Sequence, residues 1–271
     1  MTFDPSLLLF VPGDRPDRFA KALASGASGI IVDLEDAVAA DRKDAARAAV
    51  RAYLEAGGDL GAVAVRVNAP ESAHGQADLE MLAGAPRPAA VVVPKAEDVG
   101  LLGHVSATCG NVPLIALVES PLGLLACETL ARGANVLALA IGPYDLAAAL
   151  GGEPDREAML PHRARILVAA RAAGRLALDG PAREYANPEI CASDALHARR
   201  LGYDGKLLIH PLQIAPVRAA FAPTQDELAR ARRIVEAART SSPAVLDGAM
   251  IDAPIVAAAE RMLRRAPGIS R

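Results

Sequence analysis

Short apolar runs alternate with longer amphipathic stretches along most of this chain, and this alternation constrains the fold more than any other feature. The longer stretches, such as DRKDAARAAVRAYLEAG and REAMLPHRARILVAARAAG, have the pattern of helices. Nearly continuous apolar strands separated by helices are typical of a parallel sheet whose faces are both covered. The apolar runs are SLLLFVP (6–12), GIIVDLE (29–35), AVAVRVN (62–68), AAVVVPK (89–95), PLIALVE (113–119), VLALAIG (136–142), LALDGP (176–181) and GKLLIHP (205–211).

The number of these runs favours a (β/α)₈ or TIM barrel, which has eight strand–helix units. The competing fold is a doubly wound sheet, which usually has fewer strands and a glycine-rich phosphate turn after the first one. VPGDRPDR is a poor match to that turn. The chain of 271 residues is also close to the length that one such barrel needs, about 250 residues.

The alternation ends after the eighth run. TQDELARARRIVEAART reads as a helix with an N-cap at Thr224, a turn-rich stretch SSPAVLDGAMIDAP follows, and IVAAAERMLRRA reads as a last amphipathic helix. We therefore predict a TIM barrel over residues 1–222 and a C-terminal helical extension over residues 223–271. This extension is expected to act as a lid, as an oligomerisation arm, or as both.

Composition and charge exclude several classes of function. The formal net charge of −3 leaves no broad basic surface, so nucleic acid is not an expected partner. No apolar run approaches the roughly 20 residues of a membrane helix, and the N-terminus lacks the charged leader of a signal peptide. We expect a soluble cytoplasmic protein that acts on a small molecule.

Ionisable or hydrogen-bonding residues follow nearly every apolar run directly. In a TIM barrel the carboxyl ends of the strands carry the active site. A buried charge has to be paired or to bind an ion, so several of them converging on one face indicate a functional site. The polar stretches are VPGDRPDR, DLED, RVN, PKAE, VES, GPYD, DGP and IHP.

Two carboxylates lie at the ends of neighbouring predicted strands: Glu119 ends the fifth run, and Asp145 lies just past the sixth. Such a pair, with positions left for water and substrate, suits an oxygen-preferring ion such as Mg²⁺. The lack of His or Cys beside them argues against zinc. The alternative for either residue is a helix cap, and Asp145 before LAAAL is a plausible N-cap.

Arg66 and Asn68 lie two residues apart after the third run, so both are expected to face the barrel mouth. An arginine there suits bidentate capture of a carboxylate or stabilisation of an enolate. The alternative is a structural ion pair with Glu35 or a neighbour.

The PKAE and IHP stretches carry further candidates for substrate binding. Lys95 and Glu97 either bind an anion or pair with each other. His210 is either a hydrogen-bonded wall residue or a base.

A basic segment follows the first strand. Arg15, Arg18 and Lys21 are spaced three apart at the start of the first predicted helix. This face either grips a phosphate near the helix N-terminus or is simply solvated.

Taken together, these stretches resemble the citrate lyase β-subunit-like proteins of the HpcH/HpaI aldolase and citrate lyase superfamily. The resemblance covers nearly the whole chain in the family's order. It implies a TIM barrel that binds Mg²⁺ and cleaves or forms a C–C bond in a β-hydroxyacyl-CoA, such as malyl-CoA, citramalyl-CoA or a citryl thioester. The matching stretches are LLLFVPGDRPDRFAKALASGASGIIVDLEDAV, RVN, VVVPKAE, LVESPLGLL, GPYDLAAALG, GYDGKLLIHPLQI and DGAMIDAP.

The resemblance also implies roles for single residues. The metal ligands map onto Glu119 and Asp145, and the arginine for the substrate carboxylate onto Arg66. Glu35 and Asp36, in the acidic stretch after the second strand, would then order metal-bound water rather than bind the metal themselves.

The C-terminal extension gains a role from the same resemblance. In relatives that act on CoA thioesters, the aspartate of MID reaches the site from the lid of a neighbouring subunit within a trimer. That residue is Asp252 here, and we expect it to transfer the proton. The expected assembly is a homotrimer or a hexamer with exchanged lids.

Two departures from the superfamily's patterns narrow the expectation. DGPAREYANPEI replaces an Asp-x-x-Gly element, so the seventh loop is expected to shape a different pocket. Asp36 stands where the HpaI aldolase branch has a His, which argues against aldolase chemistry on free pyruvate and an aldehyde. Thioester hydrolysis on the same scaffold, or a subunit that depends on an acyl-carrier protein, remain as alternatives.

Overall fold

Eight parallel strands close into a barrel within the part of the chain that the computed structural model describes, residues 3–240 and 244–264. Each strand lies inside the apolar run that predicts it, so the TIM barrel is confirmed. Neighbours along the chain are neighbours in the sheet, and β1 pairs with β8 to close the barrel. The strands are β1 (Leu7–Pro12), β2 (Gly29–Asp33), β3 (Val63–Arg66), β4 (Ala90–Val93), β5 (Leu114–Val118), β6 (Val136–Ile141), β7 (Leu176–Asp179) and β8 (Gly205–Leu208).

Helices follow the strands and cover the outside of the barrel. Short 3₁₀ helices occupy Pro16–Arg18, Ala40–Arg42, Leu60–Ala62 and Pro211–Gln213. The first nine α-helices of the described residues are α1 (Phe19–Leu23), α2 (Lys43–Glu55), α3 (Ala73–Ala83), α4 (Val99–Thr108), α5 (Pro121–Ala131), α6 (Pro143–Leu150), α7 (Leu160–Ala172), α8 (Pro188–Leu201) and α9 (Ile214–Phe221).

The barrel interior is filled by side chains rather than left as a pore. Successive residues of a strand point to opposite faces, so alternate residues enter the interior and the others pack under the helices. Burying each larger aliphatic side chain contributes about 1.5–3 kcal/mol. The interior cluster is Leu8, Ile31, Ala64, Ala90, Val92, Ile115, Leu117, Ala138, Ala140, Leu178 and Leu207.

The loop between β5 and α5 shows how the sequence positions a strand-end residue. Ser120 is the N-cap of α5, and its Oγ accepts a hydrogen bond of 3.0 Å from the Gly123 N–H. Pro121 follows at the first helical position, where its missing N–H costs nothing. The helix therefore begins immediately after Glu119, which places that carboxylate at the rim of the barrel.

The chain divides into two compact units, Met1–Val217 and Arg218–Arg271. The sequence places this boundary at residue 222 instead. The second unit contains α10 (Gln225–Thr240), the antiparallel strands β9 (Ala244–Leu246) and β10 (Ala249–Ile251), and α11 (Ala253–Arg264).

The start of α10 follows its prediction. Thr224 Oγ1 accepts from the Glu227 N–H at 3.1 Å, and Glu227 Oε2 accepts from the Thr224 N–H at 2.7 Å. These reciprocal bonds form a capping box, which satisfies two otherwise unpaired helix N–H groups.

The segment between α10 and α11 differs from the turn-rich interpretation, because it contains a β-hairpin. Asp247 and Gly248 form its two-residue loop, with φ of 52° and 79°. An Asp-Gly pair with two positive φ angles is the preferred hairpin connection. Residues 241–243 of this segment, and residues 265–266 of the predicted last helix, lie outside the described residues.

Among the described residues, no helix combines the length and the hydropathy that crossing a bilayer requires.

Candidate active site

A cavity of about 440 Å³ opens at the carboxyl ends of the barrel strands. Phe10, Leu117 and Tyr144 contribute apolar or aromatic wall. Among the described residues, the guanidinium and carboxyl groups of its lining are one and four in number, namely those of Arg66 and of Asp33, Asp36, Glu119 and Asp145. The cavity therefore has an excess of negative charge where the sequence predicts the active site.

Glu119 is a buried carboxylate on the wall of this cavity, with 4% of its surface exposed. Its Oε1 accepts a hydrogen bond of 2.8 Å from the Lys95 backbone N–H. Burial and then the charge of Glu35 raise the pKa of the Glu119 carboxyl to about 8, although the Lys95 amide and Arg66 partly offset them. A buried carboxylate with so little compensating positive charge around it is a good ligand for a cation.

Asp145 lies in the first turn of α6 and is exposed on the cavity wall. The N-cap of α6 is Gly142 and its first residue is Pro143, so the N-cap alternative for Asp145 is wrong. An acidic side chain in a first turn is favoured by the helix dipole.

Gly142 brings the two predicted metal ligands to one wall. A Cβ on Gly142 would lie 2.5 Å from both Cβ and Oε2 of Glu119. The absence of a side chain therefore lets the start of α6, which carries Asp145, lie against Glu119.

Arg66 is held mainly by Asp33, its register partner on the neighbouring strand. Nε donates to Oδ1 at 2.7 Å and Nη2 donates to Oδ2 at 2.6 Å. Nη1 lies 2.9 Å from Glu35 Oε2, and the guanidinium lies 4.8 Å from the ring centroid of Phe10. The structural ion pair that the sequence offers as an alternative for Arg66 is therefore present. Nη1 is the guanidinium nitrogen that Asp33 does not bind.

Glu35 is buried between two cations. Its Oε1 accepts from Lys95 Nζ at 2.8 Å. Its Oε2 is close to Arg66, but it has no aligned hydrogen-bond donor among the described residues. Burial raises the pKa of the Glu35 carboxyl, which the charge of Arg66 counters in part. Asp36 is the exposed member of this stretch, 3.5 Å from Arg66 Nη1.

Lys95 pairs with Glu35 and not with Glu97, so that alternative is wrong. Glu97 instead accepts a hydrogen bond of 2.5 Å from Ser120 Oγ. Lys95 has a φ of 47°, in the left-handed region that L-residues other than Asn and Asp rarely adopt.

Two strand-end residues take structural positions. Asn68 donates to Leu34 O and to Asp78 Oδ2 at 2.8 and 2.7 Å, and it is absent from the cavity lining, so the expectation that it faces the mouth is wrong. His210 is the N-cap of the 3₁₀ helix Pro211–Gln213, and its Nδ1 accepts from the Leu212 N–H at 3.2 Å. His210 also stacks on Tyr185, with a centroid distance of 4.3 Å.

The basic segment after β1 is less regular than one continuous helix. Arg15 precedes the 3₁₀ helix Pro16–Arg18, and α1 begins only at Phe19. Arg15 is engaged by Asp17 through two hydrogen bonds of 3.0 and 2.9 Å, while Arg18 and Lys21 are exposed.

Asp252 belongs to the second compact unit and is exposed. Its Oδ1 accepts from the Ile255 N–H at 3.2 Å, so it caps the start of α11. Its proton-transfer role stays a prediction.

The chemistry of the cavity fits a divalent cation. No group of three or more His, Cys, Asp or Glu residues is arranged to hold a metal within residues 3–240 and 244–264. A site with two protein carboxylates and further positions for water and substrate oxygens is the usual arrangement for Mg²⁺.

Sequence reasoning missed Asp33, Gly142 and Tyr144. Asp33 and Arg66 each end a strand and lie opposite one another in register, which was the available signal for their pairing. Gly142 and Tyr144 belong to the GPYD stretch, but nothing in their spacing indicates a close approach to Glu119 or a place in the cavity wall.

An eight-stranded parallel barrel with an acidic cavity at the carboxyl ends of its strands defines a TIM-barrel protein with a cation-binding type of site. The chain belongs to the HpcH/HpaI aldolase/citrate lyase family, whose profile matches residues 6–211. The predicted resemblance is thereby confirmed.

Similar proteins span nearly the whole chain. A citrate lyase subunit beta-like protein of Mycobacterium tuberculosis is 40% identical over 266 residues, which are 95% of this chain and 94% of the relative. A (3S)-malyl-CoA thioesterase of Cereibacter sphaeroides is 34% identical over 272 residues, 97% and 95% of the two chains. The crystal structure of protein CitE from M. tuberculosis in complex with magnesium, acetoacetate and coenzyme A matches with a TM-score of 0.87 and 38% identity, covering 96% of this chain and 98% of that one.

Proposed function

We propose that this protein is a Mg²⁺-dependent C–C lyase that cleaves a β-hydroxyacyl-CoA of the malyl-, citramalyl- or citryl-CoA type. The products would be acetyl-CoA and an α-keto acid, or glyoxylate in the case of malyl-CoA. The observation that carries the proposal is the buried Glu119, which shares a cavity wall with Asp145 and lacks enough positive charge around it. The related CitE structure holds magnesium and coenzyme A, which supports the same ligands here.

Glu119 and Asp145 would hold the Mg²⁺ ion. When bound, the ion would supply Lewis-acid polarisation of the oxygens on the keto-acid half of the substrate. Asp36 and Glu35 would accept hydrogen bonds from water around it.

Arg66 would stabilise negative charge on the substrate through Nη1, which also contacts Glu35 and Asp36, because Nε and Nη2 are both hydrogen-bonded to Asp33. During cleavage a carboxylate base accepts the hydroxyl proton. The electron pair of the C–C bond passes to the thioester half as an enolate, and a proton returned to the enolate carbon gives acetyl-CoA. We assign this proton transfer to Asp252, supplied by a neighbouring subunit of a homotrimer or hexamer.

The CoA part of the substrate carries phosphates that need cations. Arg18 and Lys21 are exposed in the basic segment after β1 and suit this contact better than Arg15, which Asp17 engages. Lys95 and His210 were predicted to bind substrate, but Lys95 is engaged by Glu35 and His210 caps a helix. Their direct contact with substrate stays a prediction.

Hydrolysis of the same hydroxyacyl-CoA is the second candidate. It is favoured by the 34% identity to the (3S)-malyl-CoA thioesterase over 97% of this chain. In that reaction water attacks the thioester carbon, and the C–S bond breaks to release free CoA and a hydroxydiacid. A subunit that acts only on acyl-carrier-protein thioesters is the remaining alternative, in line with the citrate lyase beta-like relative.

Product analysis tests these alternatives. The purified protein is incubated with Mg²⁺ and malyl-, citramalyl- or citryl-CoA, and the products are identified by mass spectrometry. Acetyl-CoA supports the lyase, whereas free CoA with a hydroxydiacid supports the thioesterase. No turnover of any CoA thioester, together with binding of an acyl-carrier protein, would overturn both.

The metal assignment has its own test. We expect Glu119→Ala and Asp145→Ala each to lose Mg²⁺ binding in calorimetric titrations while the far-ultraviolet circular dichroism of the barrel is retained. Glu157→Ala is the matched control, because it removes an exposed carboxylate outside the cavity. Unchanged Mg²⁺ affinity in both site variants would refute the assignment.

A further inference from the structure

Lys95 has an unusual backbone conformation for its residue type. The non-glycine residues with positive φ among the described residues are Lys95, Asn111, Asn135 and Asp247. Asn and Asp tolerate this region because their short polar side chains hydrogen-bond locally, but lysine has no such compensation. Strain of this kind persists only where the surrounding structure imposes it, and it clusters at functional sites.

The surrounding structure holds the turn after β4 on several sides. The Ala96 N–H donates to Leu117 O at 3.1 Å. A Cβ on Gly123 would lie 2.5 Å from Ala96 O, so the first turn of α5 packs directly against this peptide. Glu97 is bound by Ser120, the N-cap of the same helix. The β5–α5 segment therefore dictates the conformation of Lys95.

In this conformation one residue contacts two carboxylates. The Lys95 N–H donates to Glu119 Oε1 at 2.8 Å, and Lys95 Nζ donates to Glu35 Oε1 at 2.8 Å. Glu35 Oε2 lies 2.9 Å from Arg66 Nη1. Glu35 thus lies between two cations, with a hydrogen bond from Lys95 and a close charge contact but no aligned hydrogen bond from Arg66, whereas the hydrogen bond to Glu119 comes from a neutral amide.

This difference separates the two carboxylates chemically. A carboxylate held between an ammonium and a guanidinium has much of its charge compensated and is a poor metal ligand. A buried carboxylate with a single neutral donor keeps its need for a cation. Glu35 lies close enough to Glu119 for its charge to raise the pKa of that carboxyl, so an unpaired Glu35 would offer a further oxygen ligand and occupy a position that the substrate needs.

We propose that Lys95 is a positioning residue that presents Glu119 to the metal and holds Glu35 away from it, keeping a coordination position open for substrate. This inference rests on the proposed Mg²⁺ site. Lys95 acts through the two carboxylates and not by contact with the reacting atoms. The direct contact with substrate predicted for Lys95 from sequence stays a prediction beside this orienting role.

A double-mutant cycle tests the proposal with binding measurements alone. Mg²⁺ affinity, and the affinity of the Mg²⁺-loaded protein for oxalate as a keto-acid mimic, are measured by calorimetry for the wild type, Lys95→Met, Glu35→Gln and the double variant. We expect Lys95→Met to bind Mg²⁺ about threefold more tightly and oxalate about tenfold more weakly, because the freed Glu35 becomes a ligand. Both changes should disappear in the Glu35→Gln background, because they pass through that carboxylate.

Lys95→Arg is the conservative control and should restore both affinities, because it keeps a cation that can reach Glu35. Unchanged affinities in Lys95→Met would overturn the proposal. So would changes that persist in the Glu35→Gln background, since they would reveal a direct electrostatic effect of the ammonium on the ligands. Failure of the wild type itself to bind Mg²⁺ would instead refute the proposed function, so the two failures are distinguishable.

Thermal stability tests whether the surrounding structure imposes the left-handed backbone conformation on Lys95. Lys95→Gly should be more stable than Lys95→Ala in thermal unfolding, because glycine adopts a positive φ without steric cost. Equal melting temperatures would show that the left-handed conformation is not imposed on this residue.

Discussion

Asp33 and Arg66 end the neighbouring strands β2 and β3 and are joined by two parallel hydrogen bonds of 2.7 and 2.6 Å. This fork–fork pair is almost fully buried, with 1% and 8% of the two residues exposed. It fixes the plane of the guanidinium and occupies its Nε–Nη2 edge, which leaves Nη1, in contact with Glu35, outside this pair. The orientation of the predicted substrate arginine is therefore set by a residue that sequence reasoning did not select.

Replacing Asp33 with Asn should destabilise the barrel by about 1–3 kcal/mol, because the buried Arg66 keeps the charge of Glu35 beside it but loses its two-bond partner, which leaves a buried donor without an acceptor. Urea unfolding followed by circular dichroism measures this difference. Glu55→Gln is a suitable control, because it removes one partner of the half-exposed Arg51–Glu55 pair and should change stability little. Equal losses of unfolding free energy in the two variants would mean that the buried Asp33–Arg66 pair contributes no more to stability than the half-exposed Arg51–Glu55 pair.

Gly142→Ala should weaken Mg²⁺ binding by at least about tenfold, which is a loss of ~1.4 kcal/mol in binding free energy. The added methyl group would lie 2.5 Å from Glu119 Cβ and Oε2, so either the carboxylate or the start of α6 has to move. Gly152→Ala is the matched control, because a Cβ there would meet nothing within 4 Å. Calorimetric titration of both variants with Mg²⁺ makes the comparison, and similar affinities would show that the approach of Gly142 to Glu119 is not needed.

The buried ion pairs of Asp179 should make the unfolding free energy of the barrel depend on pH in the acid range. Its buried carboxylate accepts from Lys206 Nζ at 2.5 Å and from Arg163 Nε at 2.9 Å. Burial alone would raise the pKa of Asp179, but the charges of Lys206 and Arg163 outweigh it and hold that pKa below its ordinary value of 3.8. The stabilisation is therefore complete above about pH 4 and is lost as the pH falls through the lowered pKa.

The measurement that follows is the unfolding free energy of the wild type and Asp179→Asn between pH 3 and pH 7. At neutral pH the variant should be less stable by about 3–5 kcal/mol, because Lys206 and Arg163 lose a buried partner. The gap should narrow only below about pH 4, because there the Asp179 carboxyl of the unfolded chain begins to bind a proton while the folded carboxylate, with its lowered pKa, stays charged. A gap that stays constant down to pH 3 would contradict the lowered pKa.

Asp252→Asn should reduce turnover by about 10²–10⁴-fold, the usual contribution of a general acid or base. Asparagine caps helices as well as aspartate does, so the bond from the Ile255 N–H should survive and α11 should keep its start. Asp252→Ala is the companion variant, because it removes both the cap and the carboxylate. Steady-state kinetics combined with thermal unfolding separates the two effects, and normal turnover in Asp252→Asn would exclude the residue from proton transfer.

The strands of the barrel could be predicted from sequence because their determinant is local. A strand buried on both faces has to be apolar at nearly every position, and runs such as GIIVDLE and AAVVVPK meet this condition without reference to the rest of the chain. The same reasoning places the functional residues at the ends of the runs, because chain direction alone decides which end of a parallel sheet they reach. Glu119, Asp145 and Arg66 were found in this way, and the structure brings all three to one cavity.

The partners of these residues were decided only by the tertiary structure. Arg66 contacts all three acidic residues of DLED, but strand register gives the two-bond pairing to Asp33. Lys95 was as near in sequence to Glu97 as to any acid, but the packing of α5 turns its side chain to Glu35. Hydrogen bonds and ion pairs act over about 3 Å, whereas the relative placement of strands and helices depends on the packing of the whole barrel. Residue types and their order therefore determine which chemistry is available, and the three-dimensional packing determines which groups meet to perform it.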